Sequence, residues 1–240
     1  MTDDPSKAHG RIEPRVFGRA ESLRARLEQI DPMWAPQLLV AGAIALDLSL
    51  PEKLTLGPNW LLPSFEGALL IGLMIASPHP AVRHSPLRRQ IAMALIGLVS
   101  AVNIISLYLL VHYLLHHTGR PTQGRPLILA GVVLWVTNVL LFGLWYWELD
   151  RGGPVERVMN ADARPDFLFP QMTLPQQYAP RNWIPGLIDY LYVSFTNATA
   201  FSPTDTMPLT ATAKLLMSAQ ALTALLTIGL VVARAVNILQ

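Results

Sequence analysis

Long apolar runs alternate with short polar connections along this chain, and the runs have the lengths of bilayer-crossing helices. No Asp, Glu, Lys or Arg occurs between Ile91 and Leu115, nor between Leu127 and Trp147. An α-helix rises ~1.5 Å per residue and a bilayer's hydrocarbon core is ~30 Å thick, so about 20 consecutive apolar residues suffice to cross it. Both runs therefore predict a full span, the first continuing to about His116. Two shorter runs precede them, Trp34 to Leu50 and Trp60 to about Ser77, each opened by an indole of the kind that settles at the membrane interface. The first contains Asp47 and the second Glu66. A carboxylate at membrane depth must meet polar partners or water, which predicts that these two helices pack inside a bundle. Two further runs close the chain, Trp183 to Phe201 and Leu215 to Leu239, separated by the polar turn SPTDTMPLT.

The polar segments complete the plan. Residues 1–10 read as disordered, and Arg11 to Ile30 places Val16, Leu23, Leu27 and Ile30 among charges, predicting a partly amphipathic helix that is either a solvated tail or a membrane-surface element. Residues 149–182 carry Pro154, Pro165, Pro170, Pro175 and Pro180, too many for one continuous helix, and predict a loop outside the hydrocarbon. The expected fold class is all-α, a polytopic helical membrane protein with five transmembrane helices plus a re-entrant pore-like helix, or six full spans. Its organisation is a tail at 1–33, N-terminal transmembrane helices at 34–126, and a C-terminal module at 127–240.

Composition agrees with lipid as the solvent: 52% of residues are hydrophobic and 14% charged. The net charge of +2 is small and its basic residues do not interleave with aromatics, which argues against nucleic acid as a partner. Cysteine is absent, excluding disulfides, thiolate metal sites and thiol nucleophiles. The first apolar run follows a long charged tail without a small-residue cleavage site, so it is expected to serve as its own insertion signal. No GxSxG, P-loop or dinucleotide fingerprint occurs, and no nucleophile has an evident base; neither an enzymatic role nor a cofactor is expected.

Single residues give further expectations. His112 and His116 lie four apart on one helical face, a metal-compatible spacing, but without HExxH or an identified third ligand no metal site is assigned. Asn103, Asn138 and Asn197 are expected to bond between helices. WELDRGGP at 147–154 reads as a helix stop with a local salt bridge, or else a subunit contact. Asp47, Glu66 and Asp189 are the intramembrane ionisable candidates, with Arg234 near an interface; Asp189 is placed as a favourable first-turn charge.

The stretch LYVSFTNATAFSPTDTMPLTATAKL, Leu191 to Leu215, resembles the pore helix, filter and post-filter segment of the tetrameric potassium channel superfamily, roughly LxxSxxTxTTVGYGDxxPxTxxGRL. Leu191, Ser194, Ala198 or Thr199, Asp205, Pro208, Thr210, Lys214 and Leu215 carry the match, and Gly229 falls where inner helices of that family bend. The resemblance implies a homo-oligomer, tetrameric by analogy, with monovalent ions as possible cargo. Where the family has TVGYG this chain has Ala200, Phe201, Ser202, Pro203 and Thr204. Both glycines are gone and Pro203 restricts Ser202, so the carbonyl staircase and its potassium selectivity are not carried over. Three readings follow: a wider, weakly selective pore using Thr199, Ser202, Thr204 and Asp205; a non-conducting structural or sensory scaffold; or a plain transmembrane helix at 183–201. A small transporter on the same scaffold is a further alternative. The overall layout also looks like the bacterial membrane family DUF1345, which implies architecture, a multi-pass protein of the inner or plasma membrane, and no activity.

Lys and Arg counts place the N-terminal tail and the connection with Arg83, Arg88 and Arg89 in the cytoplasm, and Arg120 and Arg125 outside. The 149–182 loop is then cytoplasmic. A re-entrant helix would enter from the side opposite to that used by potassium channels, whereas six full spans would leave both termini inside.

Overall fold

The computed structural model describes residues 34–55, 58, 60–76, 86–116, 124–160, 162–175, 177–178, 183–199 and 205–239. The expected amphipathic helix at 11–30 lies outside them. Seven α-helices occur among the described residues: α1 Trp34–Leu48, α2 Leu61–Ala76, α3 Pro86–His116, α4 Gly124–Leu149, α5 Pro154–Met159, α6 Leu187–Thr199 and α7 Ala211–Leu239. Two short strands, β1 Phe167–Leu168 and β2 Met207–Pro208, pair antiparallel. The all-α expectation holds.

Three helices are long and apolar enough to cross a membrane, within α3 (Leu87–Leu114), within α4 and its extension (Pro126–Gly152) and within α7 (Ala211–Ala233), a pattern compatible with a membrane protein. The shorter apolar helices α1 and α2 stand where the first two runs were expected. The run from Trp183 resolves into a non-helical lead and the 13-residue α6, which at ~1.5 Å per residue measures about 20 Å.

Sequence explains most boundaries. Pro86 and Pro154 open α3 and α5 at first-turn positions, where a missing N–H costs nothing. Thr210 caps α7: its Oγ1 accepts from Ala213 N at 3.3 Å. Asp189, in the first turn of α6, reaches back to accept from Gly186 N at 2.8 Å, as expected of a first-turn carboxylate.

α4 is the axis of the bundle. One apolar core joins Val40, Ala43 and Ile44 of α1, Leu95, Ile96 and Val99 of α3, Leu141, Leu144 and Trp147 of α4, and Tyr190 and Val193 of α6. A second packs Leu50 and Leu54 with Leu107 and Leu110 of α3 and Leu127, Ala130 and Leu134 of α4. Contacts along α4 fix directions. Tyr190 meets Asp150 whereas Ala198 O accepts from Trp135 Nε1 at 3.4 Å, so α6 runs antiparallel to α4. Gln220 meets Tyr146 while Val231 lies against Gly131, so α7 also runs antiparallel to α4. Both α6 and α7 thus start at the end where α4 finishes, and the chain that leaves that end in α6 has returned to it by Thr210.

Glycine permits the closest approach. A Cβ on Gly143 would fall 2.6 Å from Leu191 Cδ2 and 3.3 Å from its Cα, a contact that side-chain rotation cannot relieve. Gly143→Val is accordingly expected to destabilise the fold by about 1–3 kcal/mol through overpacking, read as a lowered unfolding midpoint in detergent. The same substitution at Gly67, which has open space around its Cβ position, is expected to leave the midpoint far closer to wild type.

Candidate functional site

The turn after α4 carries most of the buried charge in the C-terminal module. Arg151 has φ 53°, followed by Gly152 at 81° and Gly153 at 102°. Two glycines take the left-handed positions cheaply and the chain reverses into α5. The reversal buries Asp150 completely. One of its carboxylate oxygens accepts from Tyr190 Oη at 2.5 Å and the other from Asp166 N at 2.7 Å. Arg157, also buried, donates to Trp147 O at 3.0 Å and Asp150 O at 3.2 Å, and its guanidinium lies 4.9 Å from the Tyr190 ring centroid. Arg151 and Arg157 each bring a nitrogen to 3.9 Å from Asp150 Oδ2. Tyr190 is itself fully buried, and its hydroxyl donates to Asp150.

Asp166 extends the knot. It accepts from Arg151 N at 3.0 Å and from Thr210 Oγ1 at 2.6 Å, and its carbonyl accepts from Leu209 N at 2.8 Å. The stretch after the filter-like residues is thereby tied to the turn after α4. Arg89, near the start of α3, donates to Glu148 O at 2.9 Å and sits 3.6 Å from its carboxylate. The salt bridge expected within 147–154 is thus present between Asp150 and Arg151, but stronger links reach to α3, α5, α6 and the α7 cap.

A second polar cluster clamps α6 between α4 and α7. Ser194 Oγ donates to Val139 O at 2.7 Å. Gln220 Nε2 contacts Ser194 Oγ at 2.6 Å and its carbonyl at 2.9 Å, and Gln220 Oε1 accepts from Tyr146 Oη at 2.5 Å and Asn197 Nδ2 at 2.8 Å. Asn197 also donates to Met217 O at 2.9 Å. Asn103 donates to Leu134 O at 3.3 Å, so two of the three asparagines bond between helices as expected. Asn138 is buried, with an Oδ1 that has no partner among the described residues.

Thr199 ends α6 with its hydroxyl on Thr196 O at 2.9 Å. Ala200, Phe201, Ser202, Pro203 and Thr204 lie outside the described residues. Asp205 is exposed immediately after them. Asp47 and Glu66 are buried in α1 and α2, two helices that pack against each other. His112 and His116 stack with ring centroids 4.2 Å apart, and among the described residues no group of three or more metal-binding side chains forms. Gly229 is exposed with open space around it.

Sequence reasoning touched Asp150 only through the local salt bridge expected within 147–154, and passed over Arg157, Asp166 and Gln220. The signal available was WELDRGGP itself, whose paired glycines mark a forced reversal beside a charge.

Comparison with protein-family models, with curated proteins and with solved structures gives no match.

Removing the charge on Asp150 leaves two arginines facing a neutral amide. Asp150→Asn is expected to cost about 3–5 kcal/mol, whereas Tyr190→Phe, which removes one donor, is expected to cost about 1–3 kcal/mol. Denaturant unfolding in detergent, followed by tryptophan fluorescence, measures both.

Proposed function

We propose that this chain is a multi-pass protein of a bacterial inner or plasma membrane whose C-terminal third is an ion-channel-like module, assembled from several copies and not selective for potassium. One observation carries the reading: α6 and α7 both begin at the end where α4 finishes, and Thr210 returns to Asp166 there. A 13-residue helix that enters beside the outer helix α4, with chain coming back to the same end before an inner helix α7, has the connectivity of a re-entrant pore segment. At about 20 Å it is shorter than the ~30 Å hydrocarbon core, which supports five spans plus a re-entrant helix over six full spans.

The distribution of apolar surface supports assembly. Ile188, Tyr192 and Phe195 of α6 and Leu215, Leu222, Leu225 and Leu226 of α7 are exposed. One chain supplies one pore-like segment, and a closed pore requires several related by symmetry. Thr199, Thr204 and Asp205 would offer hydroxyl and carboxylate oxygens to a hydrated, wider passage. Arg89, Arg151 and Arg157 gather at the entry end, which the positive-inside rule places in the cytoplasm. The module is therefore read as inverted relative to potassium channels.

The second reading, a non-conducting structural or sensory protein or a small transporter on the same scaffold, draws on the loss of both filter glycines. It predicts a monomer or dimer with no axial pore.

The first reading expects a higher homo-oligomer in detergent by light scattering and a cation current in planar bilayers that Thr204→Ala with Asp205→Ala alters. No current under any ionic gradient removes it. For orientation, a cysteine placed at Asn160 in this cysteine-free chain is expected to react with impermeant reagent only from the cytoplasmic side; labelling from outside would reverse the assigned topology.

A further inference from the structure

α1 and α2 bring together two carboxylates that the C-terminal module does not use. Asp47, in the last turn of α1, is 2% exposed, and Glu66 of α2 is 0% exposed. All four of their oxygens lack a hydrogen-bond partner among the described residues. The helices that carry the two acids pack against each other, and the two groups are not hydrogen-bonded to each other. Every buried side-chain acid described in the C-terminal module has either a bonded donor or an arginine beside it, which sets this pair apart. Two buried acids on packed helices, with no counter-charge among the described residues, call for a proton or a cation to neutralise them.

The walls around Asp47 indicate what could supply it. Asp47 faces a small cleft bordered by Thr55, Leu62, Pro63, Val102 and Ser106. The cleft is formed where α1, the turn after it, α2 and α3 meet, and Glu66 lies one turn beyond Leu62 and Pro63. Carboxylate and hydroxyl oxygens set in an apolar wall form a hard-oxygen donor set, suited to alkali and alkaline-earth ions and unsuited to soft metals. Calcium takes six to eight oxygen ligands, more than this cleft assembles from its acids and hydroxyls. The cost of stripping water from an ion also grows with the square of its charge, which favours a single charge at a site walled by leucine, proline and valine.

We propose that Asp47 and Glu66, with the hydroxyl-lined cleft beside them, form a binding site for a monovalent alkali cation in the N-terminal half of the bundle. The site is separate from the filter-like segment, and it stands whether or not that segment conducts. One cation together with one proton on the acid pair balances the two carboxylates and holds α1, α2 and α3 together, so binding is linked to folding.

The test uses the full-length chain in detergent, with its unfolding midpoint followed at constant ionic strength as choline chloride is replaced by sodium, potassium or lithium chloride. Linkage predicts a saturable rise of roughly 5–10 °C at a hundredfold excess over Kd for the preferred ion. Asp47→Asn with Glu66→Gln keeps size and shape while removing both charges; this variant is expected to be at least as stable as wild type in choline and to lose the response. Binding of radioactive sodium to wild-type protein, competed by unlabelled alkali ions, provides a readout that does not depend on the variant folding. Equal wild-type midpoints in choline and all three alkali ions would overturn the proposal. So would a response retained in the double variant, or one produced by calcium in preference to the alkali ions. Failure here leaves the oligomer and current measurements of the C-terminal module untouched.

Discussion

A carboxylate with no exposed surface at the end of a membrane-length helix has to be hydrogen-bonded and neutralised where it sits, and Asp150 is in that position. Its two oxygens draw in Tyr190 from α6 and the backbone at Asp166, and Asp166 in turn captures Thr210 ahead of α7. Arg157 comes back from α5 to cover the same group and the exposed carbonyls at the end of α4. Breaking one member would leave the others buried without partners, so this network fixes where three helices begin or end. The two-residue strand pair is a consequence of that anchoring, since four residues of β-structure could not hold two segments together alone.

Farther along α6 the polar contacts have a different character. Ser194, Asn197, Gln220 and Tyr146 are uncharged, and their hydrogen bonds cross from α6 to both neighbours. Thr223 and Thr227 instead bond within their own helix, on Ala219 O and Thr223 O, whereas Ser100 bonds Ile96 O and also accepts from Trp145 Nε1 of α4. In hydrocarbon, apolar burial does not distinguish a neighbouring helix from lipid, and such interhelical bonds with close packing hold helices in register. The C-terminal module thus combines an ionic anchor at one end with a neutral clamp at depth. In the first two helices, Asp47 of α1 and Glu66 of α2 have no hydrogen-bond partner among the described residues.

The helices themselves were plain in the sequence because hydrophobicity sets them directly. Charge-free stretches gave α3 and α4 nearly to their ends, and the prolines at 154, 165 and 170 marked where helical structure would be broken. Asp189 was legible as a first-turn acid, and Asn103 and Asn197 as cross-helix donors, because such residues at membrane depth have few other uses. The knot was not legible. Asp150, Arg157 and Asp166 fall in one polar, proline-rich stretch where each alone looks like a solvated loop residue, and Thr210 lies 44 residues beyond Asp166. Only the reversal at Gly152 and Gly153 brings them together, and left-handed backbone leaves no trace in hydropathy. The short length of α6 was equally hidden, since Trp183 and Ile184 are apolar but not helical.

One property of α4 bears on any higher-order arrangement. From residue 133 to residue 151 none of its side chains is exposed: α1 and α3 cover one flank and α6 and α7 the other. Over that stretch α4 is wrapped by its own chain, while Leu129 and Val132 nearer its start stay exposed. Any other molecule can reach α4 directly near its start, at Leu129 and Val132, and along the rest of its length meets the helices around it. Because α1 and α3 rest on one flank of α4 and α6 and α7 on the other, a displacement on either side is transmitted to the other through this one covered helix.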